Sequence, residues 1–255
     1  MICAQSCKMF EQISNAPFTA TGIRPGGLDL TQQALESSKL PAGSRILDVG
    51  CGTGVTVEYL QYEHVMQAVG IDSSSMLVAQ GKLRDAALPL IRGDAGALPF
   101  SDASFDGVLL ECTLSLVRDR ERVLKECHRV LKPLGRLIVT DLYALNPEAI
   151  GALRKLSLQS CLKGAFKKNE FIHECSVVGF ELWCFEDHSE TLRDFAAQIV
   201  WKYGSLDRFW TETGASSADP GWIRCAIREA RPGYFLYVGS KAGGVTGTDG
   251  TWGEK

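Results

Sequence analysis

The sequence predicts an α/β fold with a doubly wound, largely parallel sheet. Three observations lead to it: an apolar strand that runs into a glycine-rich turn and a helix, a second apolar run that ends in an acid, and an amphipathic helix followed by a further strand. Strand patterns that alternate with helical patterns are typical of sheets whose two faces are covered by helices. A length of 255 residues suits one such domain or two small ones.

The segment before the first strand, residues 1–40, predicts two short helices joined by a turn-rich loop. The helices are expected at 11–14 and 31–38, with Thr31 as a possible cap. The loop at 21–27 is rich in Thr, Gly and Pro and contains Arg24. An arginine in this position is either a contact for a carboxylate or an ordinary surface residue.

The first strand is predicted at 46–49 and is followed by glycines at alternating positions, Gly50, Gly52 and Gly54. Residues 55–60 then have a helical pattern. Glycine has no Cβ to block a ligand, and N–H groups at a helix start point out of the helix. A dinucleotide site would have its third glycine where this chain has Val55. A nicotinamide-dependent oxidoreductase therefore stays open as an alternative, as does a purely architectural turn.

The second strand, predicted at 66–71, ends in Asp72. A carboxylate at the tip of the second strand can accept hydrogen bonds from both hydroxyls of a ribose. The alternative is that Asp72 caps the helix expected at 74–83, although Ser73, Ser74 and Ser75 are equally suited to that role.

The third strand is expected at 88–91. The fourth and fifth strands both end in acids. The fourth is expected at 107–110 and is followed by Glu111 and Cys112. An amphipathic helix at 119–131 precedes a fifth strand at 136–140, which ends in Asp141. Ligands of open α/β sheets bind at the carboxyl ends of the strands, so these acids are candidate site residues.

The run from Leu47 to Gly54, Asp72, the segment 93–106 and the segment 131–141 together resemble the motifs of class I S-adenosylmethionine-dependent methyltransferases. The similarity is to the branch that contains ubiquinone, menaquinone and arsenite methyltransferases. It covers about residues 43–145 strongly and 175–240 weakly. The resemblance implies a Rossmann-like seven-stranded sheet of order 3-2-1-4-5-7-6, with strand 7 antiparallel and N-terminal helices as a lid.

The resemblance also implies the cofactor, S-adenosylmethionine, with S-adenosylhomocysteine as product. It places Asp72 on the ribose, the Asp94 carboxylate on the adenine amino group and the Ala95 N–H on a ring nitrogen. The full set of cofactor residues expected on this basis is Asp48, Gly50, Cys51, Gly52, Gly54, Asp72, Ser73, Asp94, Ala95 and Glu111.

The expected reaction is transfer of the sulfonium methyl group to a small-molecule acceptor. The protein then has to align the nucleophile, exclude water and, in some cases, remove a proton. Glu111, Asp141 and His173 are the candidate catalytic residues. Acids at strand tips are also common helix caps, and a lone histidine is more often a surface or core residue.

The remainder of the chain predicts helices at 147–162, 168–175, 190–203 and 222–230, and strands at 180–185 and 234–240. We expect a single domain over 1–240, in which 1–40 forms a cap and 146–175 a substrate-region insertion. Residues 241–255 are rich in Gly and Thr and are expected to be a disordered tail.

Bulk composition narrows the function further. The net charge is −3 and there is no strong basic run, so nucleic acid is not an expected partner. No apolar run reaches about 18 residues, and the N-terminus does not resemble a signal peptide. The chain has nine cysteines, an odd number, which is explained most simply if the thiols are kept reduced in a reducing compartment. We therefore expect a cytoplasmic protein without a bound metal; the oligomeric state and the acceptor stay open.

Two alternatives remain within the same fold. In an arsenite methyltransferase, Cys51, Cys112 and Cys161 would converge near the transferred methyl group, whereas the simpler interpretation treats them as small buried apolar residues. The other alternative is a protein that keeps the cofactor site without catalysis.

Overall fold

The computed structural model describes residue 11 and residues 24–157, 160–213 and 219–243. Within these ranges the strands form one sheet: β1 (Arg45–Val49), β2 (Gln67–Asp72), β3 (Leu90–Arg92), β4 (Phe105–Glu111), β5 (Leu131–Ala144), β6 (Phe180–Asp187) and β7 (Pro232–Lys241). Their order is β3-β2-β1-β4-β5-β7-β6. Strands β1 to β5 pair in parallel, and β7 is antiparallel to both β5 and β6. The predicted fold class, strand order and orientation of strand 7 are confirmed.

Helices cover both faces of the sheet. They are α1 (Gly27–Ser38), α2 (Val55–Tyr62), α3 (Ser75–Arg84), α4 (Arg120–Val130), α5 (Ile150–Arg154), α6 (Lys168–Val178), α7 (Ser189–Tyr203), α8 (Leu206–Glu212) and α9 (Pro220–Ala230). Successive residues of a strand point to opposite faces. Accordingly Leu47 belongs to the core that contains α4 and α6, and Ile46 belongs to the core that contains α1 and α2.

Two predicted helices have different bounds. The first begins at Gly27, after Gly26 at φ 76°, so Thr31 lies inside α1 instead of capping it. The helix expected at 147–162 is wrong: a 3-10 turn leads into α5, which ends at Arg154. The chain then returns to β5, where the Phe166 N–H donates to the Leu142 carbonyl at 2.9 Å. This long-range pairing interrupts the helix and leaves no trace in the local pattern.

The sequence predicts a loop between the helices expected at 190–203 and 222–230, but residues 206–212 of this segment form α8. The Ser205 hydroxyl accepts from the Arg208 N–H at 3.1 Å and caps this helix. At the other end of the chain, Lys241 belongs to β7, and its Nζ donates to the carbonyls of His128 and Leu131. The rest of the expected tail, from 244, and most of the expected N-terminal helix lie outside the described residues.

None of the described helices combines the length and the apolar character needed to cross a membrane.

Candidate active site

The glycine turn between β1 and α2 has a backbone that only glycine adopts without strain. Gly50, Gly52 and Gly54 have φ angles of 82°, 55° and 80°. A Cβ on Gly50 would lie 2.2 Å from Thr113 Oγ1, and one on Gly54 would lie 2.7 Å from a Leu90 methyl group. A Cβ on Gly52 would meet nothing within 4 Å. Two of the glycines are therefore required by packing, and Gly52 faces open space where a ligand can approach the backbone.

Four N–H groups of this turn already donate within the protein, so the expectation that the turn's N–H groups point at a ligand is wrong for these four. Those of Gly50 and Cys51 donate to the Ile71 carbonyl at 2.8 and 3.2 Å, that of Gly54 donates to the Cys51 carbonyl at 2.8 Å, and that of Gly52 donates to Asp72 Oδ2 at 2.9 Å. A pyrophosphate needs such donors. These four N–H groups are therefore not available to a pyrophosphate, whereas Gly52 allows a ligand to approach the backbone closely.

Asp72 at the end of β2 ties the glycine turn to the start of α3. Its Oδ2 accepts from Gly52 and its Oδ1 accepts from the Ser74 N–H at 2.8 Å. Burial raises the pKa of this carboxyl, opposed by the N–H donors. The cap of α3 is Ser74, whose hydroxyl accepts from the Leu77 N–H, so Asp72 is not the cap. A carboxylate oxygen that accepts one hydrogen bond can accept another, which leaves Asp72 able to receive hydroxyl donors.

Glu111 at the end of β4 lies in a closed polar network. Its Oε1 accepts from the Thr31 hydroxyl at 2.7 Å, and its Oε2 accepts from the Thr56 hydroxyl at 2.9 Å. Arg24 Nη2 is 3.0 Å from Oε2, and the two side chains are 8% and 5% exposed. The same Nη2 donates to both threonines. Because both carboxylate oxygens are engaged, Glu111 is poorly placed to take a proton from a substrate.

Asp48 on β1 adds a further buried acid beside this network. Burial raises the pKa of its carboxyl well above the usual range, and the nearby carboxylates of Glu111 and Asp72 raise it further. The guanidinium of Arg24 acts in the opposite direction. The charges of Glu111, Asp72 and Arg24, at the carboxyl ends of β4 and β2 and in the N-terminal segment, thus all act on the Asp48 carboxyl. A cation bound beside Asp48 would favour its ionised form and lower its pKa.

The turn after β3 contains Asp94 and Ala95. Asp94 Oδ1 accepts from the Gly96 N–H at 3.0 Å, which lowers the pKa of this carboxyl. The Ala95 side chain is buried in the core. Asp94 and Asp72 follow neighbouring parallel strands, β3 and β2, so both lie at the same edge of the sheet. Ser73 lies half-buried between Asp72 and the cap of α3.

Asp141, the second candidate catalytic acid, is fully buried. Its Oδ2 accepts from the Ser115 N–H at 2.9 Å and its Oδ1 from the Leu142 N–H at 2.8 Å. Burial raises its pKa from 3.8 to about 6. The carboxylate therefore holds the segment after β4 against β5, and it has no exposed surface for a substrate.

We expect Asp141→Asn to remove one component of the pH dependence of stability. The folded state holds the Asp141 proton more tightly than the unfolded state, so this group stabilises the protein most below pH 4. That contribution is lost as the pH rises through about 6, and the shift corresponds to about 3 kcal/mol. Urea unfolding of both proteins at pH 4 and 7 measures it. An unchanged difference between the two pH values in the variant would contradict the assignment.

His173 is an exposed residue of α6. It lines a surface cleft with Val117, Arg120 and Arg154, and none of the residues of that cleft belongs to the glycine turn. The structure therefore does not bring His173 together with Asp72, Asp94 or Glu111.

The three cysteines proposed for arsenic do not converge. Cys51 Sγ packs against Gly70 of β2, on the α2 side of the sheet. Cys112 lies at the end of β4, where its Sγ is 3.0 Å from the Tyr234 hydroxyl, and its thiol interacts with that of Cys161. Burial raises the pKa of the Cys51 thiol, which disfavours a thiolate there. Among the described residues, no three potential metal ligands lie together.

Sequence reasoning missed Thr31 and Thr56 as partners of Glu111. Thr31 was expected only as a helix cap, and Thr56 resembles an ordinary helix residue in the sequence. It also did not foresee that Glu11 approaches the same edge, where its Oε1 accepts from the Ser74 hydroxyl at 2.6 Å. Arg24 and Glu11 thus attach the N-terminal part of the chain to the strand ends at two points.

The sheet order, with a glycine turn after β1 and acids after β2, β3 and β4, defines the class I methyltransferase architecture. Residues 47–139 match the family model described as "Methyltransferase domain" and form a domain of that family. The resemblance to class I S-adenosylmethionine-dependent methyltransferases is confirmed.

Two curated relatives illustrate the similarity. The O-methyltransferase resE of Aspergillus sclerotiorum is 31% identical over 65% of this chain and 66% of its own length. The demethylmenaquinone methyltransferase of Thermotoga maritima is 39% identical over 40% of this chain and 45% of its own length. The matched part of the chain thus spans between about two fifths and two thirds of the length of the first curated relatives.

Solved structures share the fold over most of the chain. The cyclase SpnF superposes with a TM-score of 0.71 and 22% identity, over 93% of this chain and 95% of its own. Phosphoethanolamine N-methyltransferase 2 of Haemonchus contortus, in complex with S-adenosyl-L-methionine, gives a TM-score of 0.63 and 17% identity, over 92% of this chain and 60% of its own.

Proposed function

We propose that this protein binds S-adenosylmethionine and transfers its methyl group to an apolar small molecule. The observation that carries the proposal is the set of buried carboxyls of Asp48 and Asp72 beside a glycine turn in which four N–H groups already donate within the protein. S-adenosylmethionine bears a sulfonium and an ammonium group, and a cation beside these carboxyls would favour their ionised forms. A nicotinamide dinucleotide bears two phosphates, whose negative charge would oppose that ionisation.

Each residue of the site then has a role. Gly52 leaves room for the ligand to pass close to the backbone, and Asp72 accepts from the ribose hydroxyls. Asp94 accepts from the adenine amino group while the Ala95 N–H donates to the ring. When bound, the cofactor supplies an electrophilic methyl group. Asp48 lies near the end of β1, where a bound cation would favour its ionised form, and Glu111 holds Arg24 and α1 at the end of β4.

The acceptor side of the site is apolar. Leu30 of α1, Cys112 at the end of β4 and Leu142 of β5 share a core cluster with residues of α5, α7, α8 and α9. The cluster lies at the carboxyl ends of the central strands, next to the expected methyl group. Since Glu111 and Asp141 are held by hydrogen bonds, we propose that the protein acts by aligning the acceptor and excluding water, rather than through either acid as a base.

The decisive experiment has two stages. Calorimetric titration with S-adenosylmethionine and with NADH tests the cofactor, and tight binding of NADH alone would contradict the proposal. Transfer of labelled methyl from S-adenosylmethionine to a panel of hydroxylated aromatic and isoprenoid compounds then tests catalysis. Binding without any labelled product would favour a cofactor-binding protein that has no activity.

We expect Asp72→Ala to weaken S-adenosylmethionine binding by about 1.5–3 kcal/mol, because the variant loses a charged hydrogen-bond partner. Calorimetry on both proteins measures the change in Kd. Asp85→Ala is the matched control, since Asp85 also accepts from an N–H two residues further on but lies after α3. Equal Kd values for the Asp72 variant and the wild type would refute the ribose assignment.

A further inference from the structure

The turn that follows β3 is held from outside by helix α4. The turn spans residues 94–100 and includes Asp94, which closes it through the Gly96 N–H. Its far side offers backbone groups that point away from the site towards α4. Three long charged side chains of α4 meet them: Arg122, Glu126 and Arg129.

The contacts are short and involve the backbone of alternate residues in the turn. Arg122 Nε donates to the Gly96 carbonyl at 2.6 Å, Glu126 Oε2 accepts from the Leu98 N–H at 2.7 Å, and Arg129 donates to the carbonyls of Leu98 at 2.9 Å and Phe100 at 2.7 Å. Hydrogen bonds to charged groups are about twice as strong as neutral ones.

Glu126 and Arg129 also hold each other in place. Two parallel bonds join them, from Arg129 Nε to Oε1 and from Nη2 to Oε2, both at 2.8 Å. Hydrogen bonding from Arg129 lowers the pKa of the Glu126 carboxyl. A two-bond pair fixes the planes of both side chains, so the donors and the acceptor that face the turn have little freedom.

We propose that Glu126 and Arg129, with Arg122, are positioning residues for adenine recognition. They set the orientation of the turn, and through it the place of the Asp94 carboxylate and the Ala95 N–H. The proposal rests on the proposed function, because it assumes that this turn reads the adenine of S-adenosylmethionine. None of the three side chains is required to touch the cofactor.

Adenine recognition can be measured independently of protein stability, by comparing the affinities of two ligands that differ only in the base. Replacement of the 6-amino group of adenine by a carbonyl, as in S-inosylhomocysteine, removes the N–H donor from which Asp94 accepts a hydrogen bond. It also places the carbonyl oxygen against the Asp94 carboxylate. For the wild type we expect S-adenosylhomocysteine to bind about tenfold to a hundredfold more tightly than S-inosylhomocysteine. The ratio of the two Kd values reports on the geometry of the turn.

The test is calorimetry with both compounds on the full chain. Glu126→Ala leaves the Leu98 N–H without its partner and frees Arg129, so we expect the Kd ratio to fall to within about threefold of unity. Glu126→Gln keeps an oxygen for the Leu98 N–H and should retain most of the ratio. Lys125→Gln, which breaks the exposed pair with Glu121 on the same helix, should leave the ratio unchanged.

The possible results distinguish failure of the proposed function from failure of the positioning role. Failure of the wild type to bind S-adenosylhomocysteine contradicts the proposed function. Binding with discrimination in the wild type and an unaltered ratio in Glu126→Ala, even with a lower melting temperature, overturns the positioning role. If Glu126→Ala does not fold, Arg122→Gln decides: it removes the bond to the Gly96 carbonyl together with a positive charge near Asp94, and an unaltered ratio there overturns the proposal as well.

Discussion

Gly52→Val is expected to abolish measurable binding of S-adenosylmethionine while the protein stays folded. Gly52 is the one glycine of the turn whose Cβ would meet no protein atom within 4 Å. At the proposed cofactor site, a valine side chain would fill the space through which the ligand approaches the backbone. Calorimetry detects the loss of binding, and circular dichroism shows whether the fold is retained.

The matched control is Gly43→Val. Gly43 has a φ of 80°, and a Cβ there also meets nothing within 4 Å, but it precedes β1 at the opposite end of the strand. Both variants carry about 1–3 kcal/mol of backbone strain. Loss of affinity in both would attribute the effect to strain, and retained affinity in Gly52→Val would contradict the role of the turn.

Arg24→Gln is expected to lower the free energy of unfolding by about 3–5 kcal/mol at pH 7, because it leaves the Glu111 carboxylate buried without its cation. The two side chains are 8% and 5% exposed, so solvent does little to compensate. Urea unfolding monitored by tryptophan fluorescence measures the loss.

The double variant Arg24→Gln with Glu111→Gln should recover a large part of that stability, since neither charge remains. Arg193→Gln serves as the surface control: its pair with Glu190 is 67% and 88% exposed and should contribute less than about 1 kcal/mol. A loss below that level in Arg24→Gln would show that the buried pair does not hold the N-terminal segment to β4.

The sequence predicted those features of the site that depend on residues close together in the chain. The glycine turn, the acid after β2 and the turn after β3 each follow an apolar strand, and parallel strands bring such ends to one edge. Asp72 was predicted to be free of the capping role because serines follow it, and the structure assigns the cap to Ser74.

Sequence reasoning failed where a role depends on a partner far along the chain. Glu111 was a candidate base, yet Thr31, Thr56 and Arg24 occupy its carboxylate. Asp141 was a second candidate base, and its carboxylate is buried and accepts a hydrogen bond from the Ser115 N–H. His173 was a candidate catalytic residue and lies on α6, away from the glycine turn, because its position depends on the packing of whole elements.

The amino-acid sequence alone predicted the strands and the glycine turn, since apolar periodicity and turn residues act over a few neighbouring positions, and its resemblance to a known family predicted the strand order. Only the tertiary structure decided which polar groups remain available to a ligand. Hydrogen bonds between distant segments occupy four N–H groups of the glycine turn and hold the carboxylates of Glu111 and Asp141, and such contacts cannot be read from neighbouring positions in the sequence.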